Sequence, residues 1–440
     1  MSKSSKPYRP PELKRDRARP VNKPAPSDEQ VEARLGELVK PAVFKLAQQY
    51  RNLGLRQRLF TLPIMLAMVL AMIWRQFPSV AELLHALSRQ SLLWAPPLRA
   101  TESAFNQRLR CLPADLFAQV FAELVPVLLE RASQRHHPQP VAIKRALGHF
   151  SHLWVLDAST LEAVSRKVGL LRGASATPLG GKLLTLLDLP SKLPVQLWLS
   201  ADPDSNEKSF LEQVKPSLEA GTLLLIDRGF YSFTFFDYLS EQGLRFISRA
   251  RSTMAFTTLR AVYEGPQVRD RVIALGQYRS NPCQHPLRLI EVQVGGVWHS
   301  YLTNELDPRL LPTADIVDLY GRRWRIESAF QLTKRLLGLS YLWREAHNAI
   351  ALQVWATWLL YAVLIDLSDA VAEALDLPLD RISVEMVYRG LYHFTTDQRP
   401  GQPRDPVAYL AAQDDLGIVK RYQYNRVRKR LDKLPEELKL

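Results

Sequence analysis

The residues best suited to chemistry lie in the stretch 320–334, YGRRWRIESAFQLTK. Nothing in this stretch breaks a helix, and its polar residues recur at helical spacing, so we predict one α-helix of about four turns. With about 100° per residue, an arc of roughly 60° on one face carries four polar residues: Tyr320, Arg323, Glu327 and Lys334. This face therefore combines a carboxylate with groups that bind phosphate. A solvated surface would show the same spacing, with Arg323 and Glu327 as an ordinary i,i+4 ion pair.

Two more carboxylates each follow an apolar run. Asp157 ends the run HLWVLD, and Asp227 ends the run TLLLID. Both runs read as buried strands that end at a loop. Either Asp alone is also typical of an Asx-turn or a helix N-cap. Strands of one sheet would bring both carboxylates to the same edge, where a docked helix would add Glu327.

Such a trio of carboxylates predicts a metal centre. Three carboxylates within reach of one another repel, and a divalent cation offsets that repulsion. Oxygen ligands without His or Cys favour Mg²⁺ or Mn²⁺. Two such ions, about 3.5–4 Å apart, activate water or a 3′-hydroxyl and stabilise the leaving oxygen in phosphodiester displacement.

The composition favours a polyanionic partner. The chain has 440 residues, 47% of them apolar, with a formal net charge of +14 and a pI near 9.7. Such a field favours nucleic acid or an acidic membrane surface. Cys111 and Cys283 lie far apart and outside any Cys/His cluster, so the sequence gives no argument for a disulfide framework or a zinc site, which suits a reducing cytosol.

Two apolar stretches, 59–74 and 350–365, resemble membrane spans but are shorter than the roughly 20 residues needed to cross the hydrocarbon. We predict buried core helices there and no membrane association. The basic N-terminus has no apolar region typical of a secretory signal.

The N-terminal third divides into two parts. Residues 1–42 are rich in Pro, Lys and Arg, which predicts a flexible basic arm that lies along DNA phosphates or simply keeps the protein soluble. Residues 43–145 read as helices, with N-caps at Ser79 and Thr101 and a further helix starting at Pro113. The polar linkers, together with Arg108 and Arg110, are compatible with a helix-turn-helix DNA reader, although any small helical bundle gives this pattern.

The central region predicts an α/β sheet. Strand candidates at 183–189 and 195–199 and a helical segment lie between the two Asp-ended strands. Between 246 and 305 the sequence turns to period-two alternation, with Gly295-Gly296 as a hairpin turn, which predicts an inserted antiparallel β unit. Beyond residue 345 the chain reads as helical and ends in a basic stretch.

These residues resemble the DDE transposases of bacterial insertion sequences, which have an RNase H-like core. The resemblance rests on the D…D…E order, the runs LIDRGFYS and LTNE, and the pattern Y-x2-R-x3-E-x6-K from Tyr320 to Lys334. It covers about 150 to 370. It implies an α/β fold, with an RNase H-like core at 146–245 and 306–370 and a β insertion at 246–305. Composition and pattern predict the remaining parts, a basic arm 1–42, a helical DNA-binding domain 43–145 and a helical basic C-terminal region 371–440, which match the family only in general character.

The resemblance also assigns roles. Asp157, Asp227 and Glu327 would be the catalytic triad and the ligands of two Mg²⁺ or Mn²⁺ ions. The residues Tyr320, Arg323 and Lys334 would grip phosphates of the transposon end, and Arg228 is a further candidate for this. In hairpin-forming relatives an aromatic residue of the last insertion strand stacks on a flipped base. The nearest candidate is Trp298, although the family position falls on His299, and a Trp packed in the β unit's own core is the alternative.

The predicted function is cut-and-paste transposition by a cytoplasmic, nucleoid-associated bacterial enzyme. It would act on double-stranded DNA, both transposon ends and target, as a homodimer on paired ends. Cleavage would be followed by transfer of the 3′-hydroxyl, by way of hairpin ends. The alternatives are an RNase H-like nuclease without strand transfer and a catalytically inactive DNA-binding derivative.

Overall fold

The computed structural model describes residues 25–26, 28–52, 54, 59–161, 181–202, 204–339, 346–396 and 405–412. These residues form two compact units. One unit contains the chain up to residue 137, the short segment 335–339 and the described residues from 346 onward; the other contains residues 138–334. The C-terminal basic stretch and most of the predicted basic arm lie outside the described residues.

The first unit begins with five helices: α1 Glu29–Asn52, α2 Leu62–Arg75, α3 Val80–Leu87, α4 Glu102–Cys111 and α5 Asp115–Gln134. The Ser79 and Thr101 side chains accept hydrogen bonds from Glu82 N and Ala104 N, which confirms both predicted N-caps. The helix predicted from Pro113 begins at Asp115. Helix α2 is buried along nearly its whole length, as predicted.

The prediction of a flexible arm is wrong from residue 29 onward. Residues 29–42 form the first half of α1, because apolar side chains recur at helical spacing and become buried. These side chains are Val31, Leu35, Leu38 and Val39. The Pro/Lys/Arg-rich composition that predicted disorder belongs to the residues before them.

The second unit starts with α6, Val141–Leu147, and then forms the first part of a large sheet. Its strands are β1 His152–Thr160, β2 Lys182–Asp188, β3 Pro194–Ser200, β4 Thr222–Ile226 and β5 Arg245–Arg249. Short helical turns at Glu207–Phe210, α7 Leu211–Val214 and Lys215–Ser217 precede β4. A turn at Arg228–Phe230 and helix α8, Phe233–Glu241, follow it.

Four antiparallel strands extend the same sheet. They are β6 Phe256–Glu264, β7 Val268–Leu275, β8 Leu287–Val294 and β9 Val297–Thr303. Gly295 and Gly296, with φ of 59° and 83°, form the predicted hairpin turn between β8 and β9. The strand order is β3-β2-β1-β4-β5-β9-β8-β7-β6, in which β1, β4 and β5 are parallel to one another.

After the sheet come α9 Thr313–Arg322, α10 Arg325–Gln331 and a π-helical turn Leu332–Leu336. Helix α9 contacts β5, and α10 contacts β1. The opposite face of the sheet is covered by α7 and α8, where Phe236 stacks on Phe246 at 4.5 Å between ring centroids. Both faces are therefore covered, so the strands that carry Asp157 and Asp227 are nearly continuous apolar runs.

The described chain ends with α11 His347–Ala374, a turn at Leu379–Arg381, α12 Val384–Thr396 and α13 Pro406–Ala411. Helix α11 has 28 residues and extends beyond the predicted apolar stretch at both ends, so it is long and apolar enough to cross a membrane. However, 94% of its apolar window is buried inside the protein, as expected of a core helix. Two bent pairs, α2 with α3 and α4 with α5, meet the same criterion only when each pair is taken as one span.

Candidate active site

Asp157 lies on β1, and Asp227 directly follows the adjacent parallel strand β4. The register pairs Leu156 of β1 with Ile226 of β4, so the residues that follow each of them are neighbours. The prediction that the first strand ends at Asp157 is wrong, because β1 continues to Thr160 and pairs with β2 as far as Lys182. The two carboxylates still lie toward the carboxyl ends of their strands, at one edge of the parallel part of the sheet.

The predicted single helix over 320–334 is wrong. The helix is interrupted between α9 and α10. There the N–H groups of Arg323 and Ile326 donate hydrogen bonds to the carbonyls three residues earlier, each at 3.2 Å. This tighter pattern interrupts the α-helical ladder and places Arg323 at the corner. A second irregularity, the π-helical turn, contains Lys334. Helical turns of this kind are frequent at functional sites.

The guanidinium of Arg323 lies among all three predicted catalytic carboxylates. Its nitrogens are 2.5 Å from Asp157 Oδ2, 3.3 Å from Asp227 Oδ1 and 3.9 Å from Glu327 Oε1. Arg323 is only 4% exposed. The expected Arg323–Glu327 ion pair exists, but it is the longest of the three contacts. Three acids from a strand, a loop and a helix thus converge on one positive group.

Burial and charge together set the protonation of this cluster. Burial raises the pKa of Asp157 to about 6, with Arg323 opposing the shift and Asp227 adding to it. Burial also raises the pKa of Glu327. Although burial disfavours the charged guanidinium, the neighbouring Asp157 and the other anionic groups raise the pKa of Arg323. The site therefore carries concentrated negative charge that depends on a cation.

The residues present fit a divalent metal in chemistry, with Arg323 in the position of the cation. Within the described part of the chain, no group of three or more His, Cys, Asp or Glu side chains is arranged to hold a metal ion as it stands. The donor set is nevertheless three hard carboxylates around one positive group. A guanidinium offsets carboxylate repulsion as a divalent ion would, so the chemistry of this donor set is compatible with either cation.

Comparison with known proteins finds a transposase family. Residues 153–363, which include all three acids, match the model of the transposase DDE domain. This part of the chain is similar to a transposase DDE domain. The match and a relative described as a putative transposase confirm the predicted resemblance to DDE transposases.

That relative is named Putative transposase y4zB and comes from Sinorhizobium fredii. It is 25% identical to this chain over 264 residues, which cover 52% of this chain and 73% of the relative. A solved structure, the cryo-EM structure of piggyBac transposase synaptic complex with hairpin DNA, is similar with a TM-score of 0.37 and 13% identity. The similarity covers 93% of this chain and 84% of the piggyBac transposase chain.

Lys334 and Tyr320 lie in the same unit as the three carboxylates. Lys334 Nζ donates to Ser159 Oγ at 2.6 Å and to the Thr160 carbonyl at 2.8 Å. Ser159 lies two residues beyond Asp157, hence on the same face of β1. Burial lowers the pKa of Lys334. The Tyr320 ring is buried edge-on against Tyr301, and burial raises its pKa to about 12.

The other predicted DNA-binding residues lie elsewhere. Arg228 is exposed in the turn after Asp227. Trp298 is 37% exposed and stacks on Arg269 at 4.7 Å, so it is not in the core of the β strands. Its neighbour His299 contacts the Arg249 guanidinium at 3.1 Å. Two more, Arg108 and Arg110, belong to α4 of the helical unit.

Glu207 is a fourth acid that the sequence analysis missed. Its Oε2 atom lies only 1.4 Å from where a Cβ on Gly229 would be, so Gly229 leaves room for this carboxylate beside the turn after Asp227. Burial raises the pKa of Glu207, and the nearby Asp227 adds to the shift. Gly229, two residues after Asp227, was the available signal in the sequence. A glycine often marks a place where another group comes close to the backbone.

The LTNE run has a structural role in this protein. The Asn304 side chain accepts a hydrogen bond from Phe246 N at 3.0 Å and donates to the Leu244 carbonyl at 2.8 Å. Glu305 forms an ion pair with Arg245 at 2.9 Å. Both side chains therefore fasten the end of β9 to the start of β5. They hold the sheet in the register that aligns the strand ends at the site.

Proposed function

We propose that this protein is a transposase that binds the ends of an insertion sequence, cleaves them by metal-dependent phosphodiester hydrolysis and joins the freed 3′-hydroxyls to target DNA. The observation that carries this proposal is the convergence of Asp157, Asp227 and Glu327 on one cation position within a transposase DDE domain. A purely structural ion pair would need one acid and one base. Three acids around a single buried base instead fit a site that exchanges cations.

Asp157, Asp227 and Glu327 would hold Mg²⁺ or Mn²⁺, with two ions per site as the working number. Bound there, the metal would supply an activated nucleophile and stabilise the leaving oxygen. The carboxylates provide oxygen ligands of the required hardness. Their arrangement on a covered sheet excludes water from one side and fixes the direction from which DNA approaches.

Arg323 would turn to the scissile phosphate when DNA binds. A phosphodiester offers the guanidinium the same planar, bidentate partner as a carboxylate does. Lys334, held against Ser159, adds a second positive charge along the same face of β1. Together they would orient the phosphate and offset its charge, which brings the reacting atoms into line. Tyr320 would help to position Arg323 through a cation–π contact, since the guanidinium lies 5.7 Å from the Tyr320 ring centroid.

Further residues outside the carboxylate cluster would contact the DNA. Arg228 would contact phosphate beside Asp227, and Trp298 would offer a stacking surface for a flipped base at a hairpin end, supported by its exposure and by Arg269. In the helical region, Arg108 and Arg110 would read or position the terminal repeat. Pairing of two ends would require a homodimer. The net charge of +14 supports binding to DNA at each of these places.

The test is a reaction of the purified protein with end-containing DNA, a target plasmid and Mg²⁺. The proposal expects nicked or hairpin ends, joined products, and loss of both when the metal is chelated. Cleavage without joined products would instead support a nuclease. Should Asp157→Asn and Glu327→Gln retain full transposition in cells, the acids would be structural and the chain a DNA-binding derivative.

A further inference from the structure

Thr185, in the middle of β2, has a buried hydroxyl without a partner. The residue is 0% exposed, and among the described residues nothing forms a hydrogen bond with its Oγ1 atom. Burying a hydroxyl without a partner costs stability, and a valine of nearly the same shape avoids that cost. Unsatisfied buried polar groups in native proteins call for a specific explanation.

The position of Thr185 supplies one. In the antiparallel pair of β1 and β2, Thr185 lies directly opposite Asp157. Directly opposite residues present their side chains on the same face of the sheet, with Cβ atoms about 4.5–5.5 Å apart. Thr185 therefore flanks Asp157 on one side, and Asp227 flanks it on the other.

Asp157 needs no third partner while Arg323 is in place. Its Oδ2 atom accepts from Arg323, and its Oδ1 atom accepts from the backbone N–H of Ala158. Among the described residues, Arg323 is the side chain that donates a hydrogen bond to this carboxylate. Once Arg323 moves to a phosphate, the carboxylate loses the group that fixes its orientation. The hydroxyl of Thr185 is then the adjacent donor on the same face.

We propose that Thr185 is a positioning residue, whose hydroxyl donates a hydrogen bond to Asp157 when metal and DNA replace Arg323. The inference rests on the proposed function. Because the two residues are directly opposite in the strand pair, their side chains are close enough on one face for such a bond, which would orient the carboxylate as a ligand. Groups that orient metal ligands in this way typically change metal affinity or activity by about 10–100-fold when they are removed.

An unpartnered hydroxyl alone does not make a functional residue, and the chain provides the matched control. Thr222 is also 0% exposed with an unpartnered Oγ1, but it lies at the start of β4, opposite His152 and away from the carboxylates. If both threonines only fill space, replacing either with valine has the same consequences. If Thr185 positions Asp157, only its replacement affects the site.

The experiment compares Thr185→Val, Thr185→Ser and Thr222→Val in the full chain. Three quantities are measured: thermal unfolding without metal, Mn²⁺ affinity by calorimetry, and the rate of end cleavage at saturating DNA. We expect both valine variants to unfold at or above the wild-type temperature. Thr185→Val should weaken Mn²⁺ binding and slow cleavage about tenfold, Thr185→Ser should restore most of both, and Thr222→Val should match the wild type.

Wild-type metal affinity and cleavage in Thr185→Val would overturn the proposal, as would equal losses in Thr222→Val. A wild type that binds Mn²⁺ but does not cleave DNA would refute the proposed function, while the affinities of the variants would still decide the role of Thr185. A wild type that neither binds Mn²⁺ nor cleaves would refute both.

Discussion

Arg323 donates a hydrogen bond to Asp157 across 2.5 Å, although the two residues lie 166 positions apart in the chain. The bond joins the corner between α9 and α10 to the middle of the sheet. Because Asp227 and Glu327 approach the same guanidinium, Arg323 neutralises much of the charge that the triad would otherwise carry uncompensated. Arg323 thus gathers the three acids that we propose to be catalytic in a structure without metal.

The stability of the metal-free protein should depend on pH through Asp157. Burial raises its pKa from the ordinary 3.8 to about 6, so the folded state binds a proton more tightly than the unfolded state. The stabilising contribution is then fully present below about pH 4 and is lost as the pH rises through 6. A shift of this size corresponds to about 2–3 kcal/mol.

Asp157→Asn imitates the protonated form and should therefore be more stable than the wild type at pH 7 without metal, by up to about 2–3 kcal/mol. Urea unfolding of both proteins between pH 4 and pH 7 measures this difference. The two curves should converge toward pH 4. A variant that is less stable at pH 7 would show that the pair with Arg323 outweighs the burial of the carboxylate.

Glu327→Gln should abolish end cleavage and leave end binding unchanged. The substitution keeps the shape of the side chain but removes one of the charges that hold the metal, whereas Arg323 and Lys334 remain for phosphate. Gel-shift titration and a cleavage assay on the same DNA separate the two effects. Weaker DNA binding in this variant would mean that Glu327 organises the DNA surface rather than the metal.

Lys334→Ala should weaken end binding as well as cleavage. The ammonium is held by Ser159 and Thr160, so its loss removes a fixed positive charge near Asp157. If Lys334 contacts one phosphate, the slope of log affinity against log salt concentration should fall by about 0.9. Arg309→Ala is the control, because Arg309 is an exposed residue whose side chain pairs with its neighbour Asp307. Equal slopes for both variants would exclude a phosphate contact by Lys334.

The start of β2 depends on a glycine. Gly181 has φ of +79°, and a Cβ there would lie 2.0 Å from the carbonyl oxygen of Ser200. Gly181→Ala should therefore destabilise the protein by about 2–4 kcal/mol. Gly296 has a similar φ of +83°, but a Cβ there would have no atom within 4 Å. Gly296→Ala should therefore destabilise the protein by only about 1–2 kcal/mol. Equal losses in thermal unfolding would mean that the close approach to β3 does not matter.

The sequence predicted the parts of the site that depend on local pattern. Asp157 and Asp227 follow apolar runs, and the parallel pairing of such runs brings the acids together, as expected. The orientation of Arg323 was not predictable, because periodicity over 320–334 gives one regular helix, while packing on the sheet breaks it at residue 323.

Other parts were missed because they arise from contacts distant in sequence. Glu207 reaches the turn after Asp227 only through the packing of two short helical turns, and Thr185 faces Asp157 only through strand register. Neither position has a local pattern that marks it. Residues 29–42 illustrate the converse, since the composition of the preceding residues concealed a short helical pattern.

Arg323 lies among Asp157, Asp227 and Glu327, in the place where a divalent ion would bind under the proposed function. The most direct test is calorimetric titration of Mn²⁺ into the DNA-free protein, comparing the wild type with Arg323→Gln. Arg322→Gln serves as the control, because Arg322 is the next residue along the chain and its guanidinium pairs with Asp318 instead. Removing a positive charge from beside the metal should tighten Mn²⁺ binding about tenfold or more in Arg323→Gln and leave Arg322→Gln unchanged. Unchanged or weaker Mn²⁺ binding in Arg323→Gln would contradict the claim.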